Sequence, residues 1–381
     1  MGINDIQNAL MTQYQEREEV IEGLILALVA RQHVLLIGPP GTGKSALVAD
    51  LAKRITGANY FQWLLTRFST PEELFGPVSL KELEQGVYKR NTAGKLPEAH
   101  LAFLDEIFKA NSAILNSLLT LINERLFYNN GQPVRTPLVT LIGASNEYPE
   151  EGEGLEALFD RFLLRFEVNY IGEEQSFLSM LKDCQPVQAD MTLEELFEVQ
   201  FFSDMVAIPE EVYEAMVTIR RELKNEGINP SDRRFKQSLD LVRAKALLAG
   251  RNQATVEDLV VLKDCLWEEP GQKEKAASIV KRNSMNPLKL AMQEIANEAM
   301  DILKNVKSNP TAEQAVEATA KLKFLMKEIE KLKQRYPGRS EIDKLEQEIR
   351  CLNQKIAETA LGIGGEEQHE QHGEAIGSKK H

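Results

Sequence analysis

Eight residues, Gly38-Pro39-Pro40-Gly41-Thr42-Gly43-Lys44-Ser45, carry the strongest chemical signal in this chain. Gly41 and Gly43 can adopt φ > 0, so a loop built on them can turn successive N–H groups inward around phosphate oxygens. Lys44 at the end of such a loop reaches β- and γ-phosphates, and the Ser45 hydroxyl is suited to Mg²⁺. A second signal is the adjacent pair Asp105-Glu106, which closes the apolar run from His100 to Leu104. Asp105 would help to hold Mg²⁺, directly or through water. Glu106 could take a proton from water that attacks the γ-phosphate. Asn146, after Gly143-Ala144-Ser145, offers an amide that could orient that water. Each motif has a plainer reading: a glycine turn with an exposed lysine, an acidic helix start, an asparagine that opens a turn. Taken together they favour a site for a nucleoside triphosphate and Mg²⁺.

The flanking residues say what must position these groups. Val34-Leu35-Leu36-Ile37 precedes the glycine loop and Ala46 to Ala52 follows it, so the stretch reads strand, loop, helix. Further strands are expected at 60–65, 100–106, 137–142 and 163–168, and helices at 5–30 and 111–123. Asn130-Gly131 predicts a hairpin turn within 126–134. The polar stretch 77–97 is long for a connection between core strands, which suggests an insertion with a job. Alternation of strand and helix stops near residue 172. Four amphipathic segments follow, at 192–206, 209–226, 231–249 and 255–267, with Ser231 and Thr255 where N-caps belong. Residues 268–286 read as a polar linker. Leu322, Leu325, Ile329 and Leu332, then Ile342, Leu345, Ile349, Leu352 and Ile356, form two apolar seams around Pro337-Gly338. They predict an antiparallel helical hairpin, which the segment with Leu288, Ile295 and Ile302 could extend to three helices. The tail after Gly362 is expected to be disordered, and its His369, His372 and His381 to be solvated. The expected organisation is an α/β nucleotide-binding core over 1–182, an all-α lid over 183–280, helices over 281–361 and a tail over 362–381.

Composition narrows the class. At 381 residues the chain is long enough for two or three domains. A net charge of -13 argues against a nucleic-acid partner, which calls for a surplus of Lys and Arg on one face. Cys184, Cys265 and Cys351 have no metal-binding spacing, so reduced, buried thiols of a cytoplasmic protein are expected. Neither a leader pattern at the first residues nor a run of 18 apolar residues is evident, so no transmembrane segment is expected.

The ordered set GPPGTGKS, HLAFLDE, GASN, LFDRF and SDRRF resembles the AAA+ ATPases, and specifically the MoxR family. TRFSTPEELFGPVSL, LPEAHLAFLDEIFKA, LLTLINER and LIGASNEYPE look like its RavA branch, over about residues 1–280. The resemblance implies a P-loop core with a parallel sheet and a helical lid. It places Lys44 and Ser45 in Walker A, Asp105 and Glu106 in Walker B, and Asn146 at sensor 1. Arg161 matches an arginine finger that reaches a neighbouring subunit's γ-phosphate, with Arg165 the alternative. Arg233 best matches sensor 2, contacting phosphate in cis, and Arg234 is the neighbour that competes for that role. The 77–95 insertion and the 126–134 hairpin would face a central pore. The β-rich domain that RavA-like proteins insert among their C-terminal helices has no counterpart here. The implied activity is ATP hydrolysis in a homo-hexameric ring that remodels or matures a protein client with a von Willebrand factor A domain partner. A nucleic-acid motor and a nucleotide-dependent scaffold with little turnover are the rival readings.

Overall fold

The computed structural model describes residues 2–149, 155–182, 187–285, 287–308 and 312–360. The predicted helix over 5–30 is two helices, α1 (Gly2–Gln13) and α2 (Glu18–Ala30). Glu16, at φ 56°, breaks the run in the left-handed region. β1 (Val34–Ile37), the glycine loop and α3 (Lys44–Lys53) follow, then β2 (Ile55–Thr56) and β3 (Tyr60–Leu64). The insertion contains the short α4 (Pro71–Phe75) and α5 (Leu80–Leu83). β4 (Leu101–Asp105) leads to α6 (Ser112–Glu124) and to the hairpin β5 (Leu126–Asn129) and β6 (Gln132–Arg135). Asn130 and Gly131 both have positive φ, 53° and 70°, as a tight primed turn requires. β7 (Thr140–Ser145), α7 (Glu156–Arg161) and β8 (Leu164–Glu167) complete the core, and α8 (Glu174–Leu181) leaves it.

The main sheet has the order β3-β4-β7-β1-β8, with every pairing parallel. β1, β4 and β7 are apolar along almost their whole length because helices cover both faces, so alternation gives way to continuous runs. Their carboxyl ends lie at one edge, since Ile37 pairs with Ser145 and Leu104 with Gly143. A two-residue strand, β9 (Met191–Thr192), pairs with β2 and was not legible in the sequence.

Helices α9 (Leu193–Asp204), α10 (Glu210–Asn225) and α11 (Asp232–Leu248) follow, with a 3₁₀ segment at Val256–Asp264 and α12 (Lys273–Ser284). Ser231 caps α11 by accepting from the Arg234 amide, and Thr255 and Asp258 form a reciprocal cap. The expectation of a linker over 268–286 fails. α12 buries Ala276, Ile279 and Val280, an apolar stripe diluted in sequence by the lysines around it. One compact unit runs to Ser284 and a second starts at Met285. The second unit contains α13 (Pro287–Ser308), α14 (Ala312–Arg335) and α15 (Ser340–Ala360), packed mutually as three helices around Ile302, Leu325, Ile329, Leu345 and Ile349. Cys265 is buried as expected, whereas Cys351 is exposed; Cys184 and the tail from Gly362 lie outside the described residues.

Candidate active site

The glycine loop leaves β1 in a space that admits no side chain at its first residue. A Cβ on Gly38 would lie 2.1 Å from the carbonyl oxygen of Val168. Gly41 and Gly43, at φ 80° and 83°, carry the loop into α3, and nothing stands within 4 Å of where their side chains would be. Space alone would therefore admit a side chain at either, and it is the positive φ that calls for glycine there. Lys44 is buried, and its Nζ donates to the carbonyl oxygens of Gly38 (2.6 Å) and Pro39 (2.9 Å). Burial lowers its pKa, while the charges of Asp105 and Glu106 act in the opposite direction. The Thr42 hydroxyl donates to the Pro39 carbonyl at 3.0 Å and stiffens the turn. Ser45 stands half-buried in the first turn of α3. These donors fit a triphosphate, with Ser45 and Asp105 the residues suited to Mg²⁺.

Two strands away, Asp105 ends β4 and accepts the amide of Glu106 at 3.0 Å. Glu106 has φ 52°, a left-handed conformation that costs a non-glycine residue about 1–3 kcal/mol and is tolerated where it aims a functional group. Its carboxylate accepts from Asn146 Nδ2 through one oxygen and faces Lys109 Nζ at 3.3 Å through the other. Glu106 and Asn146, separated by 40 residues, therefore meet at the tips of neighbouring strands. Glu106, Arg67, Asn111, Ser145 and Tyr148 bound a cleft of about 430 Å³.

The arginines divide into two kinds. Arg234 is fully buried, and all of its nitrogens are committed. Nε donates to Cys265 O (2.9 Å), Nη1 to the Asp160 carbonyl (2.9 Å) and carboxylate (3.2 Å), and Nη2 to Phe162 O (3.1 Å) and Leu163 O (2.8 Å). Arg165 is likewise buried on the carbonyls of Phe159, Phe162 and Trp267, with its guanidinium 3.9 Å from the Phe159 ring centre. Every nitrogen of both already has a partner, which sets them apart from Arg233 and Arg161. Those two keep 37% and 22% of their side chains exposed. Both bind Asp160 Oδ2, Arg233 at 2.8 Å and Arg161 at 3.4 Å. Among the described residues, the side-chain hydrogen bonds of Arg161 and Arg233 go to Asp160 and none goes to the glycine loop. In this structure Arg233 is thus held on Asp160.

Sequence reasoning missed the groups behind the loop. Arg17 is buried and donates to Asn169 O (2.6 Å) and Thr42 O (3.3 Å), which ties the glycine loop to the exit of β8. Glu16 accepts from the amides of Gly172 (2.8 Å) and Glu173 (2.9 Å), and the Tyr170 hydroxyl donates to Pro40 O at 3.1 Å. In sequence Glu16 and Arg17 sit in a polar stretch, QYQEREE, with nothing to distinguish them from solvated charges.

A parallel sheet with a glycine phosphate loop after β1, paired carboxylates at the end of β4 two strands away and a helical domain after it defines an AAA+ ATPase core with its lid. A profile described as the MoxR domain of MoxR-vWA-beta-propeller ternary systems matches residues 2–199, and an AAA lid profile matches 211–280. The chain belongs to the MoxR family of AAA+ ATPases. An uncharacterized protein of Methanocaldococcus jannaschii is 41% identical over 271 residues, 70% of each chain. A second from that organism is 38% identical over 80% of this chain and 82% of its own. Chaperone MoxR1 of Mycobacterium tuberculosis is 28% identical over 42% of each chain. A crystal structure from Cytophaga hutchinsonii, whose ATPase designation is provisional, shares the fold at TM-score 0.60 and 17% identity. It covers 75% of this chain and 94% of its own. No helix among the described residues is long and apolar enough to cross a membrane.

Proposed function

We propose that this chain hydrolyses ATP with Mg²⁺ in a homo-oligomeric, hexameric ring in the cytoplasm and uses the cycle to remodel a protein client. The observation that carries this reading is the convergence of Lys44, Asp105, Glu106 and Asn146 at one edge of the sheet. Lys44 exchanges the Gly38 and Pro39 carbonyls for phosphoryl oxygens when the triphosphate enters. Ser45 and Asp105 would hold Mg²⁺, which would supply neutralisation of phosphate charge. Glu106 accepts the proton of the attacking water, and Asn146 fixes the orientation of both carboxylate and water. Positioning and charge compensation supply the rate, so no covalent intermediate is expected. Arg161 and Arg233, held on one carboxylate, serve the same phosphate, and we assign that phosphate to the neighbouring subunit. Arg233 therefore works beside the finger and not in cis.

The chaperone name of the mycobacterial relative and the family description's von Willebrand factor A systems support a partner of that type and a remodelling task. The RavA-like placement rests on the quoted stretches and on the helical unit after the lid. The cations of the insertion weigh against a nucleic-acid motor. Lys89 pairs with Glu82 (3.2 Å), Arg90 binds Gly76 O (2.9 Å) and Lys95 binds Glu73 O (3.1 Å), which leaves Lys81 of the four. The test is MgATP turnover by the purified chain, with and without DNA or RNA, followed by capture of a von Willebrand factor A protein on the Glu106→Gln form loaded with ATP. Absence of turnover would sink the hydrolase reading, and strong stimulation by nucleic acid would favour its rival.

A further inference from the structure

Asp160 is the one carboxylate that Arg161, Arg233 and Arg234 share. It lies in the last turn of α7, beside Arg161, while Arg233 and Arg234 lie in the first turn of α11 on the lid. Oδ1 takes Arg234 (3.2 Å) and Oδ2 takes both Arg233 (2.8 Å) and Arg161 (3.4 Å). Three guanidinium groups on one carboxylate leave a local surplus of positive charge, which an anion such as a phosphoryl group would relieve. The three are not equal. Arg234, with five hydrogen bonds in a fully buried place, is fixed. Arg161 and Arg233 compete for one oxygen, and Arg161 Nε is buried with no hydrogen-bond partner among the described residues. Burial, and then the charge of Arg233, lower the Arg161 pKa, so the two cations are held together against their repulsion.

We infer that Asp160 is a positioning residue. It is a resting counter-charge that aligns Arg161 and Arg233 as a pair, is exchanged for a phosphoryl oxygen during turnover, and couples the lid to the finger helix. This rests on the ATPase reading above. Arg234 is the pivot: it grips the end of α7 and the turn between α7 and β8, so movement of α11 is transmitted to Asp160, and through it to Arg161. Asp160 itself touches no substrate in this scheme. Its loss should therefore appear in kcat and leave the binding of ATP at the subunit's own loop unchanged.

The test uses the full chain. Asp160→Asn keeps the shape and removes the charge. Misplacing a catalytic group by an ångström can cost on the order of 100-fold, so kcat should fall about 10- to 100-fold while KM for ATP stays within about twofold. In an Arg233→Ala background, where turnover is lowered, the same substitution should cost less than it does in the wild-type chain, because one of the groups it positions is gone. If Asp160→Asn fails to fold for want of a partner for Arg234, Asp160→Glu keeps the charge and shifts it by one methylene; its kcat should lie below wild type at unchanged KM. Wild-type kcat in either folded variant overturns the inference, as does an equal fold loss in the Arg233→Ala background. Absence of turnover in the wild-type chain would instead strike the ATPase reading. In that event amide exchange at residues 156–162 and 231–236 carries the test. Asp160→Asn should accelerate both segments together, and unchanged exchange overturns the coupling.

Discussion

The phosphate edge of the sheet and the arginine corner below the lid hold the same kinds of residue under opposite rules. At the edge, each charged group has one or two partners: Lys44 two carbonyls, Glu106 the Asn146 amide and Lys109. In the corner, two of four arginines are buried as completely as core leucines, Arg234 with five hydrogen bonds and Arg165 with each nitrogen on a carbonyl. Residue type therefore does not assign role. What separates Arg161 and Arg233 from Arg165 and Arg234 is the number of hydrogen bonds already committed, because a guanidinium saturated by carbonyls has nothing left for a phosphate. The edge is built for exchange of partners, and the corner combines two fixed cations with two exchangeable ones.

That contrast can be broken in several places. The largest effect belongs to the edge. Glu106→Gln should lower ATP turnover ~10²–10⁴-fold with ATP binding retained, whereas Lys44→Ala should lose binding; equilibrium titration with ATP beside a turnover assay separates the two. Next comes the fixed part of the corner. Arg234→Ala strands the carbonyls of Phe162, Leu163 and Cys265 and should destabilise the first unit by about 3–5 kcal/mol, read from denaturant unfolding. A loss below about 1 kcal/mol would mean that Arg234 is no more than a surface ion pair.

A third effect lies at the opposite end of the sheet. His33 is buried with Nδ1 accepting the Leu141 amide at 2.9 Å and with Arg125 against its ring, and burial followed by the Arg125 charge holds its pKa well below 6.5. The unfolded chain then binds a proton there before the folded one. Stability should accordingly fall as pH drops through about 6.5, and His33→Asn should flatten that part of the curve. The smallest effect sharpens the comparison. Arg233→Ala, at the exchangeable part of the corner, should change stability by less than about 1 kcal/mol while lowering turnover. A large stability loss would place Arg233 with the fixed pair.

The edge was legible because its chemistry lies in contiguous words: a glycine loop after an apolar strand, two carboxylates closing another, an asparagine closing a third. The sequence also marked the tight turn at Asn130-Gly131 and the caps Ser231 and Thr255. It misread 268–286, where lysines hid the stripe of Ala276, Ile279 and Val280 that α12 buries. It ran 5–30 together as one helix because the break at Glu16 is a backbone conformation with no composition signal. Arg17 and Asp160 went unnoticed for a common reason. Each acts on groups more than 70 residues away, Asn169 in one case and Arg233 in the other, and only the folded chain brings them together.

The central claim is that Glu106 of one subunit and Arg161 of the next complete a single hydrolytic site. Mixing Arg161→Ala chains with Glu106→Gln chains tests it directly. Each variant alone should be inactive, since a trans arginine of this kind is worth ~10³–10⁵ in rate and the base ~10²–10⁴. A mixed assembly contains interfaces where an intact Glu106 meets an intact Arg161, so part of the wild-type ATPase activity should return as the two are combined. Subunit exchange demonstrated by a fluorescent label, with no activity regained at any mixing ratio, would contradict the account.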